Sequence, residues 1–539
     1  MAGWNFADVF EQIAEVIPEA TAQRQGDRTS TWSQFDRRAD GIGRALLDAG
    51  LVEQDKVVQY LHNGPEYLES VFGAFKAGLA TVNTNYRYTE DELVYLWDNA
   101  DAAAVVFHGT FSERVDAIRS RVPRVRLWLH VDDGTGTAPD WAVPYTSVAE
   151  SAPGRTIAPW GRNGDHLLLL YTGGTTGMPN GVRWRQVDVI GALEASNRRR
   201  LPAEPDSTSA AARLRGPGPR GLPGAPLMHG TGFFNAMSTL LMGGSITSLV
   251  GRSFDPVELL DTIDREGINS ISIVGDAFAR PILSALDEHP DRWDISSLRV
   301  IVSSGVMWSQ TTKEGLLRHN PRLILLDTLG SSEAIGMATN TTTSESSSET
   351  ATFTLGPGTR VVTDDGRDVV PGSGERGRVA LRGHMPLGYY KDEEKSAATF
   401  QMIDGTRYSI PGDWAEVDAD GTVRLLGRGS QCINTGGEKV YPEEVEEALK
   451  THPSVRDAAV VALPDERFGQ TVCALVETED GSPPDPDSLI DHVRARLARY
   501  KAPRTVLSVE TVGRAVNGKL DYRRLGEVAR ERVGLEGEP

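Results

Sequence analysis

The chain has 539 residues, 39% of them hydrophobic, enough to bury more than one core and to divide into two or more domains. Its 56 Lys and Arg against 75 Asp and Glu leave a formal net charge of −19, which argues against non-specific binding to nucleic acid or to an anionic membrane surface. The two cysteines, Cys432 and Cys473, lie outside any CxxC or Cys/His cluster and support neither a disulfide framework nor a zinc site.

A reducing, cytoplasmic setting is expected. The N-terminal MAGWNFADVFEQIAE has no apolar core of signal-peptide length, and no run approaches the roughly 18 apolar residues of a membrane span.

Phe35, Ala39, Ile42, Leu46 and Ala49 recur at helical spacing, and the short apolar run Val57 to Leu61 follows as a strand. A second cycle comes next, with PEYLESVFGAFKAG and TEDELVYLWDNAD as helices and AAAVVF as a strand. Such alternation predicts an α/β fold, a large N-terminal domain of mostly parallel sheets covered by helices.

The short runs Leu167–Leu170, Ile268–Val274, Arg299–Ser303 and Arg322–Asp327 extend the pattern as buried strands. Leu201 to Gly224, rich in Pro, Gly, Ala and Ser, and the polar Thr341 to Thr350 read as surface loops or hairpin tips. From about residue 355 to 429, short strands and Gly/Asp turns predict a small antiparallel β subdomain closing an N-terminal domain of residues 1–429. Residues 430–539 then read as a separate, mobile α+β domain of ordinary size.

The strand LLLLYT delivers the chain into GGTTGMPNG. Glycines let backbone N–H groups face a ligand with no Cβ in the way, and threonine hydroxyls add donors, so the loop suits polyphosphate oxygens. It is not a Walker A loop, because no GK[ST] follows, and a Gly/Thr loop after a strand is often only a tight turn.

In order after it come PLMHGTG (226–232), DTLGSSE (327–333), YSIPGD (408–413), LLGRGSQCINTGGEKVYPEEVEEAL (425–449) and NGKLDYR (517–523). Together these segments resemble the motif series of the acyl-adenylate-forming superfamily, and the resemblance covers essentially the whole chain. That family includes acyl-CoA synthetases, luciferases and the adenylation domains of peptide synthetases.

The resemblance implies a two-step reaction on a carboxylic acid. The carboxylate attacks the ATP α-phosphate to give an acyl-adenylate and pyrophosphate, and the thiol of coenzyme A then displaces AMP. Most of the first step is positioning and neutralisation of phosphate charge.

Position by position, the match makes Thr172, Gly173, Gly174, Thr175, Thr176 and Gly177 the phosphate loop, with Asn180 beside it. Glu333, after Gly330, Ser331 and Ser332, becomes the carboxylate that holds Mg²⁺ on the nucleotide. Asp413 and Arg428 match the residues that bind the ribose hydroxyls, and Gly305 and Leu329 flank the adenine and the acyl group.

Lys519 matches the lysine that reaches the acyl carboxylate and α-phosphate during adenylation, and Ser430 takes the hinge position about which the small domain rotates. After rotation, Gly436, Gly437, Glu438 and Lys439 would line the pantetheine tunnel. His229 matches a gate between acyl pocket and thiol entry, with Gly230, Phe233, Phe234, Val274, Gly275, Phe278 and Ser304 as candidate pocket residues.

The His and Gly of PLMHGTG stand where amino-acid-activating relatives carry an Asp, which favours an acid without an α-amine. The forms YTGGTTGMPxGVxWRQ and GSxCINTGGEKVYPEEVEEAL resemble those of ligases acting on long-chain fatty or steroid-like acids. A non-catalytic acyl or nucleotide carrier and a luciferase-like oxygenase are the rival readings. Against the carrier stand the retained Glu333, Asp413, Arg428 and Lys519.

One departure stands out. Family members usually carry lysine where this chain has Asn180, and often another where it has Met178. An ammonium–phosphate bond is worth roughly 1.5–3 kcal/mol. Either Arg183 or Arg185 supplies the charge, or adenylation is impaired and a separate enzyme provides acyl-AMP in place of ATP as the substrate.

Overall fold

In the computed structural model of the chain, all residues are described except 1–2, 137, 152–153, 175–176, 196–199, 306–307, 347–350, 429–430, 432, 436–437, 466–468, 498, 516–517 and 536–539. Among the described residues lie three sheets, of 15, 8 and 5 strands.

The 8-stranded sheet carries a parallel core, with Leu167–Gly174, Ala80–Asn83, Lys56–Tyr60, Ala102–His108 and Leu127–Val131 side by side. The largest sheet begins equally parallel, through Thr21–Gln25, Ser245–Ser248, Arg220–Pro223, Ser270–Ile273, Val300–Ser304 and Ile324–Ser331. It then turns antiparallel at Ala334–Thr342 and runs on through Thr352–Leu355, Val423–Arg428 and Asp413–Val417.

The local signals for these elements are conventional. Capping boxes open the helices Trp32–Asp48 (Thr31 with Gln34) and Glu90–Asn99 (Thr89 with Glu92). Pro256 follows the Asp255 cap of Pro256–Glu266, which closes on Gly267 at φ +61°.

The alternation predicted from Phe35 onward is realised as helix Trp32–Asp48 and strand Lys56–Tyr60. One reading is corrected. Within the segment read as a surface loop, Arg220–Pro223 is a strand between two parallel neighbours, with Leu222 fully buried. Its flanking Pro and Gly masked a run too short to show periodicity.

Aromatic packing holds the N-terminal helices together, with Phe10 5.3 Å from Phe72 and 5.8 Å from Trp32. Beside them Lys76 is wholly buried, its ammonium 2.7 Å from Glu11 and 2.8 Å from both Asp36 and Asp40. Three carboxylates keep the buried cation charged, so removing any one partner would be costly.

The 5-stranded sheet draws only on residues after 432. The long hairpin Val455–Asp465 with Gly469–Thr478 forms its centre, and its two faces are covered by Pro442–Lys450 with Pro486–Arg494, and by Tyr522–Arg532. Thr505–Ser508 adds a parallel edge. No helix among the described residues is long and apolar enough to cross a membrane.

Candidate active site

Open α/β sheets place ligands beyond the carboxyl ends of their parallel strands. Here four such ends carry residues picked out in the sequence, Thr172, Val274, Ser304 and Leu329–Ser331, and a fifth carries Asn83.

The segment expected as a phosphate loop is mostly a hairpin. Leu167–Gly174 pairs antiparallel with Gly177–Arg185, Thr172 opposite Asn180 and Gly174 opposite Gly177, so that Gly173 lies within the first strand. Thr175 and Thr176 lie outside the described residues, as do Ser430, Gly436 and Gly437.

Buried Asn83 joins this hairpin to the PLMHGTG segment, and half-buried Asn63 holds the same segment from another side. Asn83 Nδ2 donates to Tyr171 O at 2.9 Å and to Met228 O at 2.6 Å, while its Oδ1 accepts from Tyr171 N at 2.6 Å. Asn63 Nδ2 donates to Ala225 O at 3.2 Å, and its Oδ1 accepts from Leu227 N at 2.7 Å.

His229 is therefore fixed at the N-terminus of the helix Gly230–Leu241, which also carries buried Phe233 and Phe234. A Cβ on Gly230 would lie 3.6 Å from Leu170, so the helix starts directly against the hairpin. Burial, aided by the positive charges of Lys519 and Arg87, pushes the imidazole down to about 4 and keeps it neutral.

The far wall is equally compact. A Cβ on Gly305, whose φ is +94°, would come within 3.8 Å of Val274 and 3.9 Å of Thr231. Gly275 N donates to Ser303 Oγ at 2.9 Å, and Ser304 Oγ donates to Thr328 O at 2.9 Å. Phe278 is buried one turn further on, 4.5 Å from Phe254.

The acidic turn closes the circle. Gly330 keeps the turn tight, since a Cβ there would sit 3.1 Å from Ala334 O, closer than a relaxed contact. Ser331 Oγ accepts from Glu333 N at 3.2 Å, and Ser332 O accepts from Trp184 Nε1 at 2.8 Å, which brings the turn onto the hairpin. Glu333 Oε1 accepts from the Tyr389 hydroxyl at 2.8 Å, and Tyr389 itself pairs with Val182 of the hairpin.

Ser409, of YSIPGD, donates to Glu333 O at 2.7 Å. Asp413 is buried and stands opposite Arg428 across adjacent strands. The Glu333 carboxylate suits Mg²⁺, which takes one or two protein carboxylates and fills the rest of its shell from phosphates and water.

Lys519 is exposed between buried Gly518 and Leu520. Glu438 and Lys439 lie on the second strand of a hairpin, Glu438 opposite Thr435 and Lys439 opposite Asn434.

Neither arginine considered as a substitute charge sits beside Asn180. Strand alternation puts Arg183 and Arg185 on the opposite face, and Arg185 is occupied by Asp188 at 2.7 Å and Asp165 at 3.2 Å.

Several supporting groups were not singled out by the sequence: Asn63, Asn83, Trp184 and Tyr389. Only Asn83 carried a signal, a polar residue closing a buried strand. The Lys313–Asp327 contact at 3.6 Å, under the GSSE strand, is another.

The chain matches the AMP-binding enzyme family over residues 10–390 and the AMP-binding enzyme C-terminal domain over residues 444–519. It is 40% identical to a medium/long-chain-fatty-acid–CoA/3-oxocholest-4-en-26-oate–CoA ligase of Mycolicibacterium smegmatis, across 99% of this chain and 98% of that protein. Similarity to a 3-oxocholest-4-en-26-oate–CoA ligase of Rhodococcus rhodochrous is 39% across 98% and 96%. In fold it resembles an anthranilate CoA ligase in complex with anthranoyl-AMP, with TM-score 0.84 and 23% identity over 99% of both chains.

Proposed function

The chain belongs to the AMP-binding enzyme family, and from that membership we propose that it is a ligase joining a bulky hydrophobic carboxylic acid to coenzyme A through an acyl-adenylate. Fatty or steroid-like acids are the substrate class, as the names of the relatives at 39–40% identity suggest. ATP, Mg²⁺ and coenzyme A complete the reaction, in the cytoplasm.

The observation that carries the reading is the meeting of four distant segments. Trp184 of the hairpin holds Ser332 of the acidic turn, Asn83 ties the hairpin to the His229 segment, and the charge of Lys519 bears on His229.

A carboxylate is a poor electrophile because its leaving group would be oxide; the mixed anhydride with AMP removes that obstacle. Lys519 would neutralise charge as the acyl oxygen approaches the α-phosphate, and Glu333 would hold Mg²⁺, which screens the departing pyrophosphate. Asp413 and Arg428 would fix the ribose. Neutral His229 would wall the acyl group until the thiol enters.

The division at residues 429 and 430, with Ser430 as hinge, belongs to this proposal. An Arg280 Nη1 bond to Arg456 O at 2.6 Å supports an arrangement in which the C-terminal part presents Lys519 for adenylation. Rotation would replace it with Gly436 to Lys439 along the thiol path.

Adenylation is further inferred to run slowly, because Asn180 offers an amide where a cation would contact phosphate and neither Arg183 nor Arg185 shares its face. A panel of carboxylic acids assayed with ATP and coenzyme A, and again with preformed acyl-adenylates, tests both levels. Turnover of neither set sinks the ligase reading; equal competence in both halves sinks the slow-adenylation reading. Asn180→Lys should raise only ATP–pyrophosphate exchange, by roughly ten- to a few hundred-fold.

A further inference from the structure

Lys519 sits on a short turn whose geometry is set from outside. Ala515 N donates to Lys519 O at 2.9 Å and Gly518 N to Ala515 O at 2.7 Å, which closes the turn. Gly518 takes φ +73°, a conformation that a side chain would strain. Leu520 then plugs into the apolar cluster of Val512, Leu525 and Ala529.

The peptide immediately before Lys519 is gripped by a guanidinium. Arg514 Nη1 donates to Gly518 O at 3.0 Å. The same group is locked from behind, Nε to Asp457 Oδ2 at 2.6 Å and Nη2 to Asp457 Oδ1 at 2.9 Å, with a further bond from Nη2 to Ala458 O at 3.3 Å. Asp457 is in turn oriented by Ala458 N, which donates to Oδ1 at 2.8 Å.

Even a half-buried ion pair such as this is a poor source of net stability, because desolvation offsets most of the attraction. What a planar five-donor fork does well is fix direction. The lysine stem is long and flexible, so the direction of its Cα–Cβ bond decides where the ammonium spends its time. Rotation of the Gly518–Lys519 peptide would break the Arg514 bond.

We propose that Arg514, anchored by Asp457, is a positioning residue that aims Lys519 at the adenylation centre. The proposal rests on the ligase reading and on the role given there to Lys519. It predicts a split between half-reactions, since Lys519 acts only in the first.

The test measures ATP–pyrophosphate exchange and, separately, CoA-ester formation from a preformed acyl-adenylate, in the full-length wild type and in Arg514→Met, Arg514→Lys and Asp457→Asn. A misaimed catalytic group costs up to about 100-fold, so exchange should fall about 10- to 100-fold in kcat with KM for ATP little changed. Thioester formation should stay within about twofold of wild type, since it does not use the aimed group. Arg514→Lys, keeping the charge beside Asp457 but not the fork, should fall between.

Asp457→Asn preserves shape and keeps the question open to measurement if Arg514→Met folds poorly. Exchange that is unaffected in both, or losses of equal size in the two half-reactions, overturns the proposal while leaving the ligase reading intact. A wild type that performs neither half-reaction overturns that reading and this proposal with it.

Discussion

The Tyr389 hydroxyl donates to Glu333 Oε1 at 2.8 Å, joining two segments far apart in sequence, and Gly388–Tyr389 pairs with the hairpin strand Gly177–Arg185. One carboxylate oxygen is thereby fixed, and with it the direction in which the other can face a cation. Tyr389→Phe should leave the fold intact and raise the Mg²⁺ concentration needed for half-maximal exchange. A hydrogen bond to a charged group is worth about 1.5–3 kcal/mol, so the loss should be roughly ten- to a hundred-fold. An unchanged Mg²⁺ dependence would remove Tyr389 from the account.

Asn83 carries a different burden. It saturates both backbone groups of Tyr171 and one of Met228, all out of contact with water. Asn83→Leu strands those groups at about 1–3 kcal/mol each, and Asn83→Asp places a carboxylate against two carbonyl oxygens. Both should lower the thermal midpoint, and both half-reactions should suffer because hairpin and His229 segment separate together. A variant as stable and active as wild type would show that the bridge is dispensable.

How far the sequence announced this site depends on how local the chemistry is. GGTTG, GSSE and NGK concentrate glycine with donors or charge inside a few residues, yet each alone could be a plain turn, and only their order along the chain gives them roles through the family resemblance. Asn83, Tyr389 and the Arg514–Asp457 pair act across long sequence separations, and nothing in a string says which distant partner an amide or guanidinium will meet. The strand Arg220–Pro223 was missed for a related reason. Its four residues, one of them Pro and one Gly, are buried by neighbours rather than by their own pattern.

The effect of the Lys519 charge on His229 is itself testable by titration. Burial comes first among the causes that bring the imidazole down to about 4, and the lysine charge adds to it. Lys519→Met removes a positive neighbour, which favours protonation, so the His229 midpoint should move upward without regaining its ordinary value near 6.5. Ring-labelled histidine followed by NMR, with His229→Phe assigning the signal among ten histidines, reads the shift directly. A midpoint indifferent to Lys519 would mean that the lysine charge does not reach the imidazole.

Glu446 offers a test of stability rather than rate. Its carboxylate, buried in the C-terminal part, accepts from Val460 N at 2.8 Å and from the Tyr522 hydroxyl at 3.0 Å. Burial pushes the group up to about 7 in spite of nearby Arg514 and Lys450. The unfolded chain ionises near 4.5, so between that pH and about 7 the folded state holds an extra proton and stability declines as pH rises. At about 1.4 kcal/mol per unit, the decline is of order 3 kcal/mol.

Glu446→Gln is neutral throughout and can still accept from Val460 N, so this part of the slope should vanish. Below pH 5 the two proteins should melt alike, and at pH 8 the variant should melt higher. Carboxylates held low, such as Asp457 beside Arg514, tilt the wild-type curve the other way but are common to both proteins, so the difference isolates Glu446. Parallel curves across that range would show that Glu446 is already ionised in the fold, with Arg514 and Lys450 outweighing its burial.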